Sequence, residues 1–460
     1  MRRGRWAHPA VRWQPTFRQR KQRGKLFRLP RSQWRVWRGA IWLMLVGVAA
    51  LPSLHWADRW LYQHQRAMTE PFLSILPPTA LGDRIAIVAP HPDDEALGCG
   101  GLIQWLVNNG VIPHILVVTD GDGFDAAIRL HYHQLQVTER LRRAFALQRR
   151  KETLAAMGVL GVPVSHVHFL GLSERTLPTR WLMRRDERPL RELMTWLAAV
   201  QPTGVIVPSR YDDHPVHAVV CSLVWAAVLQ AHAEGILRQL PRVVEYLVHY
   251  GEFPRPQGWH PNWELLPPTD LLSVAVWWRL PLPEPLRQRK AEAIAQYQTQ
   301  LPLTGRFLNS FVRANELFAE PMLRLEQPDR AGEPRSLLPA TDIVEIAVLP
   351  EAPVPSTPAR FAMRLRGKPS RACLYGVHVF VPSAHRPQVQ VLSPQSLPSS
   401  DTLVFALPKA HAAPSPTAQV RHVRSAQPSA VITAFVVRHD RVLDVAPLTP
   451  RRWAGGVHAP

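Results

Sequence analysis

One stretch limits what this chain can fold into more than any other. "RIAIVAP" (84–90) is a near-continuous apolar run, and it leads straight into His91, Asp93, Asp94 and Glu95 before a helical pattern takes over at 95–109. A strand that is apolar on both faces must be covered on both faces, as in a parallel sheet between helix layers. The alternation then repeats. "IPHILVVTD" (112–120), "SHVHFLGL" (165–172), "GVIVPS" (204–209) and "RVVEYLVHY" (242–250) read as strands. Helical patterns at 139–157, near 188–200 and from 214 to about 232 lie between them. Such an order specifies an α/β fold with a Rossmann-like, mostly parallel sheet. Chemistry in such sheets sits outside the carboxyl ends of the strands. His91 follows the first strand, Asp120 the second, and His214 and His217 follow "VIVPS".

The ends of the chain differ from this middle. Residues 1–38 carry 13 Lys/Arg and no acid, and Asp58 is the first acidic residue. Without that tail the formal net charge of +20 falls to about +7, and the body lacks the interleaved aromatic and basic residues of a nucleic-acid module. The tail reads as the cytoplasmic flank of a membrane span at 39–56, where Trp37 and Trp56 mark the two interfaces. The apolar core 39–54 would be about 24 Å long as a helix, short of the roughly 30 Å hydrocarbon layer unless counted between the tryptophans. A cleaved signal peptide ending near Gly47-Val48-Ala49 is the alternative. With an uncleaved anchor, everything after a connector at 57–81 lies outside the cytoplasm. The α/β domain occupies 82–322, and a linker composition marks 323–341. From 342 to 460 short β-type runs separated by Pro, Ser and Gly predict a small all-β domain. Three distant cysteines give neither a disulfide framework nor a zinc ribbon, and Cys99 reads as a small core residue. The Gly98–Gly101 run lacks dinucleotide-binding spacing and reads as close helix–sheet packing.

Three carboxylates and an imidazole within five residues repel unless a cation sits among them. In "PHPDDE", a His and an Asp three apart at a helix start can face one point, and N/O donors of this kind suit zinc. A surface turn with an N-capping Asp would look the same. "DDHPVH" (212–217) places His214 and His217 three apart at the next helix start. Together the two elements can supply a His₂Asp set with open positions, the arrangement of a catalytic zinc that activates water. A carboxylate left beside the ion is then the general base, which points to Asp93.

"APHPDDEALGCGGLIQWL", "ILVVTDGDG", "RRKETLAAMGVLGV", "HFLGL", "DDHPVH" and "YLVH" resemble, in that order, the PIG-L (LmbE-like) zinc-dependent de-N-acetylase family. The resemblance covers about residues 82–320 and implies one zinc per chain held by His91, Asp94 and His217. It implies Asp93 as general base and His214 as the group that polarises the carbonyl and stabilises the tetrahedral intermediate, or protonates the leaving amine. Arg149, in an R-x-x-E pattern with Glu152, and Asp120 would contact the sugar, although a structural ion pair suits Arg149 equally. Val216 stands where many members have an Asp, so His214 would need another partner, Asp212 or Asp213. The expected activity is removal of the N-acetyl group from an N-acetylglucosamine-type sugar of a glycan or glycolipid outside the cytoplasmic membrane. The alternative is a sugar-binding or scaffolding protein that has lost catalysis on the same fold.

Overall fold

The computed structural model describes residues 56–322, 326–329, 338–349, 359–394, 396–407 and 430–448. The expected membrane span at 39–56 lies, but for Trp56, outside them. After a helix at 56–69 (α1), eight strands form one mixed sheet: β1 Leu73–Ile75, β2 Ile85–Ala89, β3 His114–Thr119, β4 Val167–Leu172, β5 Gly204–Pro208, β6 Arg242–Tyr246, β7 Ala275–Pro281 and β8 Asn315–Pro321. Their order is β1-β7-β8-β6-β5-β2-β3-β4, and only β8 runs against the others. Chain order reverses between β2 and β5, so the turns leaving those two strands open onto one crevice.

Helices cover both faces. On one lie α2 (Asp94–Asn108), α4 (Glu139–Val159), α8 (Glu284–Ile294) and α9 (Leu301–Asn309), with α3 (Asp125–Tyr132) packed on α4. On the other lie α5 (Leu177–Leu182), α6 (Arg188–Val200) and α7 (Pro215–Ala233). Alternate residues of β2 serve the two layers: Ile85 and Ile87 face the first, Ala86 and Val88 the second. Helix α7 is the one described helix long and apolar enough to cross a membrane, and 89% of its apolar window is buried inside the protein. Burial on all sides explains that composition.

The segment 251–322 does more than cover the sheet, as it supplies β7 and β8 to it. Beyond it, β9 (Glu326–Pro328), β10 (Ile343–Leu349), β11 (Arg360–Leu365) and β14 (Thr402–Ala406) form one small sheet. A second contains β12 (Leu374–Val381), β13 (Gln388–Leu392), β15 (Val431–Arg438) and β16 (Arg441–Leu448). They stack face to face around Ile346, Phe361, Val377 and Ile432. The outer face of the second sheet, with Phe380, Val431 and Phe435, packs on the α7 layer. There Ser222 Oγ lies 2.8 Å from Thr433 Oγ1. Being covered on both faces, β15 is apolar along nearly its whole length instead of alternating. Strand β9 comes from the stretch read as linker. Strand β16, which the sequence hid behind Asp444 and Pro447, is set by a two-residue turn with positive φ at His439 and Asp440.

The glycine run in α2 has a definite use. A Cβ on Gly98 would lie 2.2 Å from the Tyr246 ring, and one on Gly101 would lie 2.4 Å from Leu282. Past Gly100, where a Cβ would lie 3.1 Å from its side chain, Lys290 of α8 reaches Leu97 O at 2.7 Å and Glu316 of β8 at 2.6 Å. Glu316 in turn accepts the Gly101 and Leu102 N–H groups at 2.7 and 2.8 Å. Both charged side chains are fully buried, so each depends on the other. Lys290→Met should lower the free energy of unfolding by about 3–5 kcal/mol in urea denaturation. Adding Glu316→Leu should restore little, because two helix N–H groups then lose their acceptor.

Candidate metal centre and active site

The turn after β2 is fixed before any ligand enters. Pro90 O accepts Thr119 N at 2.9 Å and Thr119 Oγ1 at 2.7 Å, tying the ends of β2 and β3 together. Asp93 then adopts φ 123°, a backbone region that L side chains rarely enter. Arg149, on the buried side of α4, holds it there. Its Nη2 donates to Asp93 Oδ2 at 3.0 Å and also to Pro92 O, while Nη1 donates to Gly121 O at 3.2 Å. Strain of this kind persists only where neighbours over-determine it. One turn along α4, Glu152 accepts Thr299 N and Oγ1 at 3.0 and 2.6 Å and so positions the start of α9.

Asp94 begins α2, and His217 lies in the first turn of α7, which opens with Pro215 at a position that needs no N–H. Three donor atoms meet between these helix starts. His91 Nδ1 is 3.2 Å from Asp94 Oδ2 and 3.1 Å from His217 Nε2, and His217 Nε2 is 3.2 Å from Asp94 Oδ2. Tetrahedral zinc with bonds of roughly 2.0–2.1 Å spaces its ligands about 3.3 Å apart, so this triangle matches one face of such a site. His214 joins His91 and His217 in a second grouping of ligand atoms within 4.8 Å of one another, and His249 joins Asp94 and His217 in a third.

The surrounding charges favour a cation at that point. Burial opposes ionisation of Asp94, but the His217 and His91 imidazoles outweigh it and hold the carboxyl well below the usual range. Burial likewise opposes charging of His217, yet Asp212 and Asp94 override it and push its pKa up to about 10. Burial pushes Asp93 up to about 7 against the pull of Arg149. Burial also drives His249 down to about 4. The triad thus attracts positive charge, with the buried Asp93 carboxyl beside it.

A cavity of about 250 Å³ opens over these groups. His91, Asp93, Asp94, Arg149 and His214 line it, with Phe124, Phe307 and Leu308 among its apolar walls. The His214 ring centroid is 4.8 Å from that of His91 and 5.1 Å from that of His217. Five of the seven residues selected from the sequence therefore line the cavity, and His217 joins them through the donor triangle. Asp120 is the seventh and is not among the lining residues; its Oδ1 is held by Arg150 Nε and Nη2 at 2.9 and 2.7 Å. Arg149 does line the cavity, but its bonds run to Asp93 and the backbone, in keeping with the ion-pair reading. Glu95 belongs to the core: its Oε1 accepts the Tyr297 hydroxyl at 2.5 Å. Val216 is buried in the α7 layer.

Three residues have roles that the sequence reading did not assign. Asp212 Oδ2 faces His217 Nδ1 at 3.0 Å and accepts Val248 N and His249 N, while Oδ1 accepts His214 N. Its carboxylate thus orients the His217 ring, although its place in the sequence suggests His214. His249 stacks on Phe307 at 5.2 Å, and Glu174 Oε2 lies 3.0 Å from His91 Nε2. Both follow strand ends, β6 and β4, so the rule that singles out His91 and Asp120 applies to them too. Asp212→Ala removes the acceptor of three buried or half-buried backbone N–H groups. It should cost about 3 kcal/mol or more in denaturant unfolding, with a smaller loss for Asp212→Asn.

Residues 86–228 match the family model described as PIG-L: GlcNAc-PI de-N-acetylase. A diacetylchitobiose deacetylase from Thermococcus kodakarensis is 29% identical over 137 residues, which is 29% of this chain and 45% of that protein. The chain therefore spans less than half the length of that relative. Among solved structures, N,N'-diacetylchitobiose deacetylase from Pyrococcus horikoshii is 20% identical, with TM-score 0.37 over 56% of this chain and 92% of that one. A conserved protein from Thermus thermophilus, TT1542, is 22% identical, with TM-score 0.34 over 52% and 94%. Strand-end motifs, helix starts and family match coincide in one stretch, and residues 86–228 form a PIG-L family domain.

Proposed function

We propose that the protein is a metal-dependent hydrolase that removes the N-acetyl group from an N-acetylglucosamine-type sugar. The observation that carries this reading is the triangle of His91 Nδ1, Asp94 Oδ2 and His217 Nε2, with the Asp93 carboxylate beside it on one cavity floor. The PIG-L family domain and the name of the Thermococcus relative support the substrate class. The donor set of two imidazoles and one carboxylate suits one zinc per chain. When bound, such an ion supplies Lewis acidity toward the amide carbonyl and an activated water.

The chain's own groups would do the rest. Asp93, whose Oδ2 is held by Arg149, takes the proton of the attacking water at Oδ1 and returns it to the departing amine. His214, across the cavity floor, places its imidazole toward the carbonyl oxygen as negative charge develops there. Phe124, Phe307 and Leu308 exclude bulk water, which strengthens each of these interactions. Asp212 fixes the His217 ring so that Nε2 faces the ligand position. The basic 1–38 tail and the apolar 39–54 segment support a membrane-anchored enzyme facing away from the cytoplasm, acting on a glycan or glycolipid there.

Amine release from an N-acetylglucosamine oligomer tests this. Wild-type protein should turn over, lose activity to a chelator and regain it with zinc. Asp93→Asn should retain metal while its rate falls at least about 100-fold. Metal-loaded wild type that releases no amine from any N-acetylated sugar would contradict the proposal.

A further inference from the structure

His217 has a carboxylate behind it, and so does His91. The His91 ring points Nδ1 into the donor triangle, and on its far edge Nε2 lies 3.0 Å from Glu174 Oε2. Nε2 is buried and has no in-line hydrogen-bond partner, so the adjacent carboxylate is the charge it senses at close range. Ligating imidazoles commonly have their second nitrogen set by an acceptor, which fixes the ring and raises its basicity. Asp212 does this for His217, with 3.0 Å from Oδ2 to Nδ1.

The turn after β4 is built to deliver Glu174 to that place. Ser173 Oγ donates to Asp122 Oδ2 at 2.6 Å, and Glu174 N donates to Asp122 Oδ1 at 2.9 Å. The loops after β3 and β4 are thereby joined, and Arg142, buried in α4, donates to Asp122 O at 2.7 Å. Gly123 leaves room for the carboxylate: a Cβ there would lie 2.0 Å from Glu174 Oε1. Only 15% of the Glu174 side chain is exposed, and it borders the same cavity. So much local structure around one loop glutamate calls for a reason beyond the turn itself.

We propose that Glu174 is a positioning residue for the metal ligand His91, and that Gly123 acts through it. The proposal rests on the reading of His91, Asp94 and His217 as a zinc site. It assigns Glu174 a task completed before substrate arrives, so the test omits substrate. Zinc is titrated into metal-free full-length protein against a chromophoric chelator, for wild type, Glu174→Gln, Gly123→Ala and the double variant. Circular dichroism verifies folding of each metal-free form.

Glu174→Gln should bind zinc about 10–100-fold more weakly than wild type while keeping its metal-free fold. The visible absorption of its cobalt-substituted form should shift, because His91 becomes a weaker donor. Gly123→Ala should weaken zinc binding in the wild-type background and add nothing further to Glu174→Gln. Wild-type affinity in Glu174→Gln, with an unchanged cobalt spectrum, would overturn the proposal and leave the zinc site standing. No zinc uptake by wild type would remove the zinc reading and this proposal with it.

Discussion

Two imidazole nitrogens and a carboxylate oxygen held 3.1–3.2 Å apart in a buried place set the terms for everything around them. Groups of this kind, packed together and buried, are costly unless each finds a partner of opposite charge. The fold answers with strict placement. The triad comes from two neighbouring parallel strands at the point where strand order reverses, and each half enters through the start of a helix. Helix starts carry partial positive charge, which helps to tolerate the Asp93–Asp94 pair at the head of α2.

Rigidity behind the site comes from buried charge as well as apolar packing. The Lys290–Glu316 pair binds α2 to α8 and β8 through the helix backbone itself, so the head of α2 has little freedom to drift. Arg149 and Glu152, one turn apart on α4, fix two parts of the site: the strained Asp93 turn and the start of α9. On the far side, the second small β-sheet presses its outer face against the α7 layer, which lets that helix be apolar on nearly all sides. A set of donor atoms held this closely needs support of this kind from several sides.

Much of this was legible in the sequence, and for a physical reason. Buried parallel strands are apolar along their whole length, so "RIAIVAP" and "GVIVPS" announce themselves, and charges placed directly after them stand out. That contrast picked out His91, Asp93, Asp94, His214 and His217. What stayed hidden depends on contacts between distant segments. Nothing local shows that Asp120 is claimed by Arg150, or that Asp212 reaches forward to His217 instead of its neighbour His214. His249 was missed because it lies inside the run 242–250 read as strand, and Glu174 because it sits in the polar stretch 173–176, which looks like an ordinary surface turn. Strands β7 and β8 were hidden among the prolines and tryptophans of 251–322, because their sequences carry charged residues and lack the strong apolar runs of β2 and β5.

The most direct measurement is anomalous diffraction at the zinc edge from crystals of the full chain grown with zinc. The account predicts one peak per chain, within about 2.0–2.2 Å of His91 Nδ1, Asp94 Oδ2 and His217 Nε2 and bordered by Asp93. A peak held by other residues, or none at these three despite bound zinc, would contradict it.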